Sequence, residues 1–389
     1  MKHKMRKTAA MALAVVLGLA PLASASEALG HEIHGTSVDL SVGTSLTKQI
    51  FWSDTYSDLR TERYFTYSPN RNVQPVVAYG DKVTSRATLT AMAQTLEQQG
   101  KRLVGGMNGD LYVMATGAPL GVVITDGVVR SAPGNIDFGY YGVGFRGDGT
   151  AFIGKPELSI TATFRGNTFS VGGGVNKIRT ELGGYTLYTE DFNATTQNTS
   201  AGVDVILVPV VDNVGQTVNV DLDVSEKGQD QPKSTAESGD GGDVVSSDGL
   251  TEPPAPTESA EPISEVKGSL LQSAELTVGG RVTYRVEQVL EAAGATAIPS
   301  GKAVLSINGK GDPYLIAELR ALQAGDTIDV DITTPEQPWT EADQAMGGLH
   351  KLVTAGQAEK NLPAERTAYS AVGVKADGTV VLYEIDGNQ

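Results

Sequence analysis

Short runs of alternating polar and apolar residues, many of them bounded by glycine-containing turns, recur along the chain. Ser37–Val42 and Arg63–Tyr67 have this pattern, and Thr125-Asp126-Gly127 separates two apolar runs, Gly121–Ile124 and Val128–Arg130. Alternation with a period of two places successive side chains on opposite faces of a strand. Asp-Gly between two such runs is typical of a β-hairpin turn. The pattern therefore predicts a strand-rich fold.

A few helices are expected beside the strands. Ser85–Arg102 would be amphipathic, with Ser85 as N-cap, and residues 313–324 carry Leu315, Leu319 and Leu322 on one face. A short helix is expected over residues 288–293. Further strands are expected over Leu103–Met107, residues 274–287, Thr327–Ile332 and Thr379–Ile385. The predicted fold class is α+β: a mixed, strand-rich sheet with a few packed helices.

One acidic stretch interrupts this pattern. Residues 225–265 contain ten acidic and two basic residues, five prolines and no aromatic residue. Such a composition buries too little apolar surface to offset the entropy lost on ordering. We therefore expect a disordered acidic insert at 225–265, with residues 26–224 and 266–389 as two parts of one domain.

The N-terminus has the pattern of a secretory signal peptide. Four basic residues in the first seven precede the apolar run Thr8–Leu22 and the small residues Ala23-Ser24-Ala25. A basic segment, an apolar segment and an A-x-A site are the three parts of such a signal. Residues 1–25 are therefore predicted to be removed, leaving an exported protein, secreted or associated with the cell envelope, with no transmembrane segment.

Charge and cysteine content exclude several classes of function. The 389-residue chain has 46 acidic and 30 basic residues and a formal net charge of −16. This balance argues against nucleic-acid binding, which needs a basic surface. The absence of cysteine excludes disulfides, cysteine-bound zinc, iron–sulfur clusters and thiol nucleophiles.

Three motifs favour structural over functional interpretations. Gly142–Gly147 matches G-x-G-x-x-G, but the turn residues Asp148-Gly149 follow it and indicate a hairpin rather than a dinucleotide site. His31 and His34 lie near the start of the predicted mature chain, where a solvated terminus is expected. Asp329 and Asp331 would share one strand face, as surface charges or as a weak divalent-cation site.

Asn108-Gly109-Asp110 allows two interpretations. It follows a predicted strand, and an Asn and an Asp beside glycine can bind sugar hydroxyls or take part in acid–base chemistry. The same tripeptide is also typical of a turn. The residues by themselves leave both interpretations open.

Five ordered motifs resemble those of the phosphodiester glycosidase family, whose eukaryotic member removes N-acetylglucosamine from a phosphodiester. The motifs are Gly105–Tyr112 with Gly117–Gly127; Val175–Arg179 with Leu187–Thr189 and Asp191-Phe192; Ile298–Gly301 with Leu305-Ser306 and Leu322–Asp326; Gly347–Val353; and Arg366–Ala368 with Val372–Val374 and Asp377-Gly378. The resemblance spans roughly residues 36–389, with the acidic stretch as an interruption.

The resemblance implies a hydrolase acting on a carbohydrate phosphodiester, and it implies roles for particular residues. Asp110, Asn108 and Arg366 would be catalytic: Asp110 in acid–base chemistry, Asn108 on sugar or phosphate oxygens, and Arg366 on phosphate. The substrate-binding residues would be Gly109, Gly121, Asn176, Arg179 and Asp386. No cofactor is required, although the carboxylates are compatible with a divalent cation such as calcium.

The sequence departs from the family pattern in two ways. Tyr369-Ser370-Ala371 separates Arg366–Ala368 from Val372–Val374, where the family runs more directly. Family members also continue beyond the position of Asp386-Gly387 to an Asn-Leu-Asp-Gly-Gly-Gly-Ser segment of the active site, so this chain is expected to be C-terminally incomplete. The alternatives to an enzyme are a non-catalytic glycan-binding protein of the envelope and an inactive fragment.

Overall fold

The computed structural model describes residues 30–134, 140–210, 275–362 and 367–386. Residues 1–211 and 273–389 form one compact unit, and residues 212–272 form a second, which lies outside the described residues. The predicted signal peptide (1–25), the predicted insert (225–265) and Arg366 lie outside them as well. In the described part of the chain, no helix has the length and apolarity needed to cross a membrane.

Twenty strands and two α-helices make up the regular structure of the described residues. The strands are β1 (His31–Ser41), β2 (Thr44–Ser53), β3 (Asp58–Tyr67), β4 (Val123–Thr125), β5 (Val128–Ser131), β6 (Gly142–Phe145), β7 (Ala151–Gly154), β8 (Ser159–Phe164), β9 (Asn167–Ser170), β10 (Gly174–Val175), β11 (Thr186–Thr189), β12 (Gly202–Pro209), β13 (Arg281–Ala292), β14 (Ala303–Asn308), β15 (Thr327–Thr333), β16 (Gln344–Gly347), β17 (Val353–Thr354), β18 (Gln357–Ala358), β19 (Tyr369–Val374) and β20 (Val380–Ile385). The helices are α1 (Leu89–Gln98) and α2 (Pro313–Arg320), and Gln337–Glu341 forms a 3-10 helix.

The strands form three larger sheets and one small hairpin. The first sheet has the order β1-β2-β3-β20-β19, the second β10-β11-β14-β12-β13-β15-β8-β9, and the third β5-β4-β16-β6-β7, with β17-β18 as the hairpin. The β10–β11 pair is parallel, and every other pair of these described strands is antiparallel. Strands on both sides of residues 211–274 pair directly, since β12 lies between β13 and β14.

The main core covers one face of the eight-stranded sheet. All six residues of β14 are buried, as are the first six of β12, because these are central strands with partners on both sides. Apolar side chains of β12, β14 and β15 pack with α2 and with Val122, Ile124 and Val129 of the third sheet. A separate cluster joins Tyr67 and Val380 of the first sheet to Val143 and Phe145 of the third. The third sheet therefore contributes to both clusters.

The structure corrects the predicted helices and the fold class. Residues 288–293 are not helical: Gln288–Ala292 belong to β13 and pair with β12, so strand pairing overrides a weak local preference for helix. The expected strand over Leu103–Met107 belongs to no sheet of the described residues. With two helices beside twenty strands, the described fold is mostly β rather than α+β.

The first helix is shorter than predicted. It begins at Leu89, and Thr88 is its N-cap, because the Thr88 hydroxyl accepts from the N–H of Ala91 at 3.1 Å. The predicted cap, Ser85, instead accepts from the N–H of Lys82, which commits its hydroxyl to a preceding turn. The second helix is confirmed in its core: Asp312 caps it, and Leu319 and Leu322 are buried.

Two predicted hairpins are confirmed, and they account for the glycine motif. β4 and β5 pair across Asp126-Gly127, and both turn residues have positive φ, 52° and 75°. This is the requirement of a type I′ turn. Gly142–Phe145 is β6, which pairs with β7 across a turn at Gly149. The G-x-G-x-x-G match is thus part of a hairpin, as expected.

The positive φ at Gly127 predicts a difference between two glycine substitutions. A Cβ would meet no atom within 4 Å at either Gly127 or Gly147, but only Gly127 has a positive φ. Gly127→Ala should lower the free energy of unfolding by about 1 kcal/mol through backbone strain. Gly147→Ala should leave it nearly unchanged. Denaturant unfolding measures both, and equal losses would contradict this interpretation.

Candidate functional site

A narrow loop after Asp110 returns the chain to the same place. The N–H of Leu120 donates to the carbonyl of Leu111, and that of Val113 donates to the carbonyl of Ala118, both at 2.8 Å. Tyr112 and Pro119 form an isolated bridge between the two arms. Gly121 therefore lies beside Asp110, eleven residues earlier in the chain, where β4 is about to begin.

The Asp110 carboxylate lies between two glycine backbones. Its Oδ2 accepts a hydrogen bond of 2.7 Å from the N–H of Gly121. A Cβ on Gly121 would lie 2.5 Å from the Cα of Gly347, and a Cβ on Gly347 would lie 2.6 Å from Oδ2. Real Cβ atoms do not approach other atoms so closely. Both positions therefore require glycine if the carboxylate is to stay where it is.

Lys177 binds the other side of the same loop. Its Nζ donates to the carbonyl oxygens of Pro119 (2.6 Å), Leu120 (3.2 Å) and Gly121 (2.6 Å). Two hydrogen bonds between Ala132 and Val175 hold β10 against the third sheet, and this places Lys177 near the loop. An ammonium group has three N–H donors, so the three carbonyls satisfy all of them.

Burial and charge act in opposite directions on this pair of groups. Burial raises the pKa of Asp110, while the N–H of Gly121, the charge of Lys177 and the N–H of Leu111 oppose that rise. Burial lowers the pKa of Lys177 to about 7, and the Asp110 charge opposes it. Because a neutral amine would have only two N–H donors for three carbonyls, the geometry favours the protonated ammonium.

Asn108 and Gly109 lie next to Asp110 in the predicted site. Asn108 is exposed, and its Oδ1 accepts from the hydroxyl of Ser370 in β19 at 3.0 Å. Gly109 lies against Met346, whose sulfur would be 2.5 Å from a Cβ at that position. The structure thus brings together four predicted residues: Asn108, Gly109, Asp110 and Gly121.

Asn176, predicted to bind substrate, is a buried structural residue. Its amide nitrogen donates to the carbonyl of Arg130 (2.7 Å) and the hydroxyl of Thr189 (2.8 Å), and its amide oxygen accepts from the N–H of Thr189. Its φ is 54°. Both amide donors and the amide oxygen are thus engaged within the protein, so we do not retain Asn176 among the ligand contacts.

Arg179 is likewise committed to the protein interior. Its Nη1 lies 3.4 Å from Oδ1 of Asp204 and donates to the hydroxyl of Ser306 (2.9 Å) and the carbonyl of Ile307 (3.0 Å). The second guanidinium nitrogen binds the carbonyl of Ser200. The Arg179 and Asp204 side chains are 1% and 0% exposed. We assign Arg179 to this buried ion pair rather than to substrate.

Asp386 joins two strands of the first sheet. Its Oδ1 accepts from the N–H of Thr61 at 2.9 Å, and its carbonyl accepts from Arg60 at 3.3 Å. Arg60 in turn forms an ion pair with Asp58. The printed contacts of Asp386 are therefore with β3 and its preceding turn. Arg366 lies outside the described residues.

The donor set at Asp110 does not fit calcium. Carbonyl and carboxylate oxygens are the ligands that calcium prefers, but the carbonyls of residues 119–121 are bound by Lys177. No cluster of three His, Asp or Glu residues suited to a metal ion occurs within the described ranges. Asp329 and Asp331 face Arg281 and Thr283 instead, and Arg281 lies 2.8 Å from Asp331. These two aspartates are surface charges.

Sequence reasoning missed Lys177 and Gly347 as parts of the site. Both lie inside motifs of the family resemblance, but a lone lysine and a Gly-Gly pair carry no signal for a particular partner. Lys177 is 67 residues from Asp110, and Gly347 is 237 residues from it. Only the strand pairing shows that they meet.

Solved structures show the fold that this chain resembles. A hypothetical protein from Synechocystis has a TM-score of 0.58 and 14% identity, with 91% of this chain and 52% of that chain covered. A protein from Burkholderia pseudomallei K96243, thought to be exported, has a TM-score of 0.49 and 14% identity over 86% of this chain and 62% of its own. The chain thus spans about half the length of the Synechocystis protein. No protein-family model and no curated protein matches the chain.

Adjacent glycines offer a test of the contact around Asp110. A Cβ at Gly347 would collide with Asp110 and Gly121, whereas one at Gly348 would lie 3.7 Å from the carbonyl of Tyr141. Gly347→Ala should therefore destabilise the protein by about 1 to 3 kcal/mol through overpacking. Gly348→Ala should have little effect. Thermal unfolding of the two variants checks this, and a Gly347→Ala variant as stable as wild type would contradict it.

The buried position of Arg179 predicts a large loss of stability when its charge is removed. Arg179→Met leaves Asp204 as a buried charge without its cation, which should cost about 3 to 5 kcal/mol. The control is Lys310→Met, which breaks an exposed pair with Glu181 and should cost less than about 1 kcal/mol. Urea unfolding compares them. Similar small losses in both variants would argue that Arg179 is not structural.

Proposed function

We propose that the chain is an exported hydrolase that cleaves sugar-1-phosphodiesters of an envelope or extracellular glycan. The export rests on the signal-peptide pattern of residues 1–25, and the substrate class rests on the resemblance to phosphodiester glycosidases. The observation that carries the proposal is the partly buried carboxylate of Asp110, fixed by Gly121 within the first motif of that resemblance.

Asp110 is suited to act as the general base. Hydrolysis adds the oxygen of water to the anomeric carbon and breaks the bond from that carbon to the phosphate oxygen, which leaves as part of a phosphate monoester. A phosphate is a weakly basic leaving group, with a second pKa of about 6, so activation of water is the greater need. A carboxylate whose pKa is raised by burial accepts that proton more readily near neutral pH than an ordinary one.

The exposed neighbours of Asp110 supply contacts to the sugar and the phosphate. Asn108 has an amide that can donate to sugar or phosphate oxygens, and Ser370 holds its oxygen. Arg366 would pair with the phosphate, as the resemblance implies. A local cation is needed because the chain as a whole is acidic and would repel an anionic substrate.

Exposed aromatic rings favour a second candidate, a glycan-binding protein without turnover. Tyr112, two residues after Asp110, and Tyr369, next to Ser370, are each 42% exposed. Aromatic rings that present an apolar face and a polar tip suit a sugar surface. Binding of a sugar phosphate with no release of free sugar would identify this function.

Removal of the Asp110 carboxylate tests the hydrolase directly. Asp110→Asn should lower kcat for a sugar-1-phosphodiester such as UDP-N-acetylglucosamine by about 10²- to 10⁴-fold, because an amide cannot accept the proton from water. In the wild-type protein, activity should fall at acid pH below the raised pKa of Asp110. Release of free N-acetylglucosamine measures both effects.

A matched variant separates loss of the base from loss of charge. Asp39 lies exposed on β1, and Asp39→Asn removes the same charge from the chain. This control should retain wild-type activity and unfold at the same temperature as wild type. An Asp110→Asn variant that keeps its fold and its full turnover rate would rule out Asp110 as the base.

A further inference from the structure

One peptide unit joins Lys177 to Asp110. The carbonyl of Leu120 and the N–H of Gly121 belong to the same peptide bond. The carbonyl accepts from Lys177 at 3.2 Å, and the N–H donates to Asp110 at 2.7 Å. No N–O distance between the two charged groups is within the 4.0 Å of a direct ion pair. The peptide is therefore the shortest hydrogen-bonded connection between them.

Lys177 has no N–H left for a substrate. Its three donors are matched by the carbonyls of residues 119, 120 and 121, which are consecutive in the chain. Fixing three consecutive carbonyls fixes the orientation of both peptide planes between them, and one of these planes carries the N–H that binds Asp110. Loss of Lys177 would free this loop to rotate away from the carboxylate.

The charges around Asp110 are few. Its contacts come from the loop at Gly121 and Leu111, from Gly347 at the end of β16, and from the field of Lys177. Lys177 is the one charged group in this set of described residues. An ammonium that accepts no other counter-charge polarises the peptide and strengthens its N–H as a donor.

We propose that Lys177 is a positioning residue: it orients the Leu120–Gly121 peptide and through it holds Asp110 ionised and in place. This inference rests on the proposed function only for its effect on turnover. Its structural part, the coupling of Lys177 to the ionisation of Asp110, holds for any function of the site. The two can therefore fail separately.

Carbon-13 NMR of aspartate-labelled protein tests the coupling without turnover. The Asp110 carboxyl signal is assigned by its loss in Asp110→Asn. In Lys177→Met, which keeps the length of the side chain and removes its charge, the pKa of Asp110 should rise by about one unit or more. Lys302→Met is the control, because Lys302 is half-buried and bound to Glu287, outside the Asp110 contacts. It should leave the pKa of Asp110 unchanged.

A measurement on the wild-type protein covers the case in which Lys177→Met does not fold. The amide of Gly121 should titrate with the same midpoint as the Asp110 carboxyl, and the Lys177 ammonium should give a slowly exchanging nitrogen-15 signal at neutral pH. Separate midpoints, or an unchanged Asp110 pKa in folded Lys177→Met, would overturn the proposal. If UDP-N-acetylglucosamine is cleaved, the acid limb of the pH–rate profile should move with the pKa in Lys177→Met. Coupling without any turnover would reject the hydrolase and retain the positioning role.

Discussion

The hydrogen bond from Gly121 to Asp110 depends on the contact between two glycine backbones. Met346 of β16 is paired with Val123 of β4, so the residues at the ends of these strands, Gly347 and Gly121, meet with no side chain between them. This leaves room for one carboxylate, that of Asp110. The third sheet therefore builds the site, and its two clusters of apolar contacts with the other sheets hold it in position.

Two cations that are close in sequence serve different purposes. Arg179 is enclosed with Asp204, and its hydrogen bonds end within the protein. Lys177, two residues earlier, binds backbone carbonyls and leaves Asp110 with a separate environment. A planar guanidinium can satisfy several acceptors in a fixed plane, whereas an ammonium gathers three carbonyls around a point. The chemistry of each side chain thus matches the acceptors around it.

Local patterns predicted the hairpins well and the site only in part. Asp126-Gly127 specifies its turn through backbone conformation alone, and Asp312 followed by Pro313 marks the start of a helix. Residues 288–293 were wrongly expected to be helical, because their pairing with β12 depends on residues about eighty positions away. Asn108, Gly109, Asp110 and Gly121 meet because a short loop joins them, which a sequence motif can indicate.

The remaining site residues could not be assigned from sequence. Asn176 and Arg179 have side chains that suit a ligand, and only their burial shows that the protein itself supplies the partners. Gly347 and Lys177 gain their roles through strand pairing across the fold. Motif order therefore indicated the segments of the site, whereas the identity of each functional side chain required the three-dimensional contacts.

The most direct measurement is an NMR titration of the amide-labelled protein with N-acetylglucosamine 1-phosphate, which carries the sugar and the phosphate of the proposed substrate. The account predicts chemical-shift changes centred on Asn108, Asp110, Gly121 and Gly347, with saturation and with no change at Asp386. Shift changes clustered around Asp386 or around Arg179, or none at a saturating concentration, would contradict the assignment of the site to Asp110.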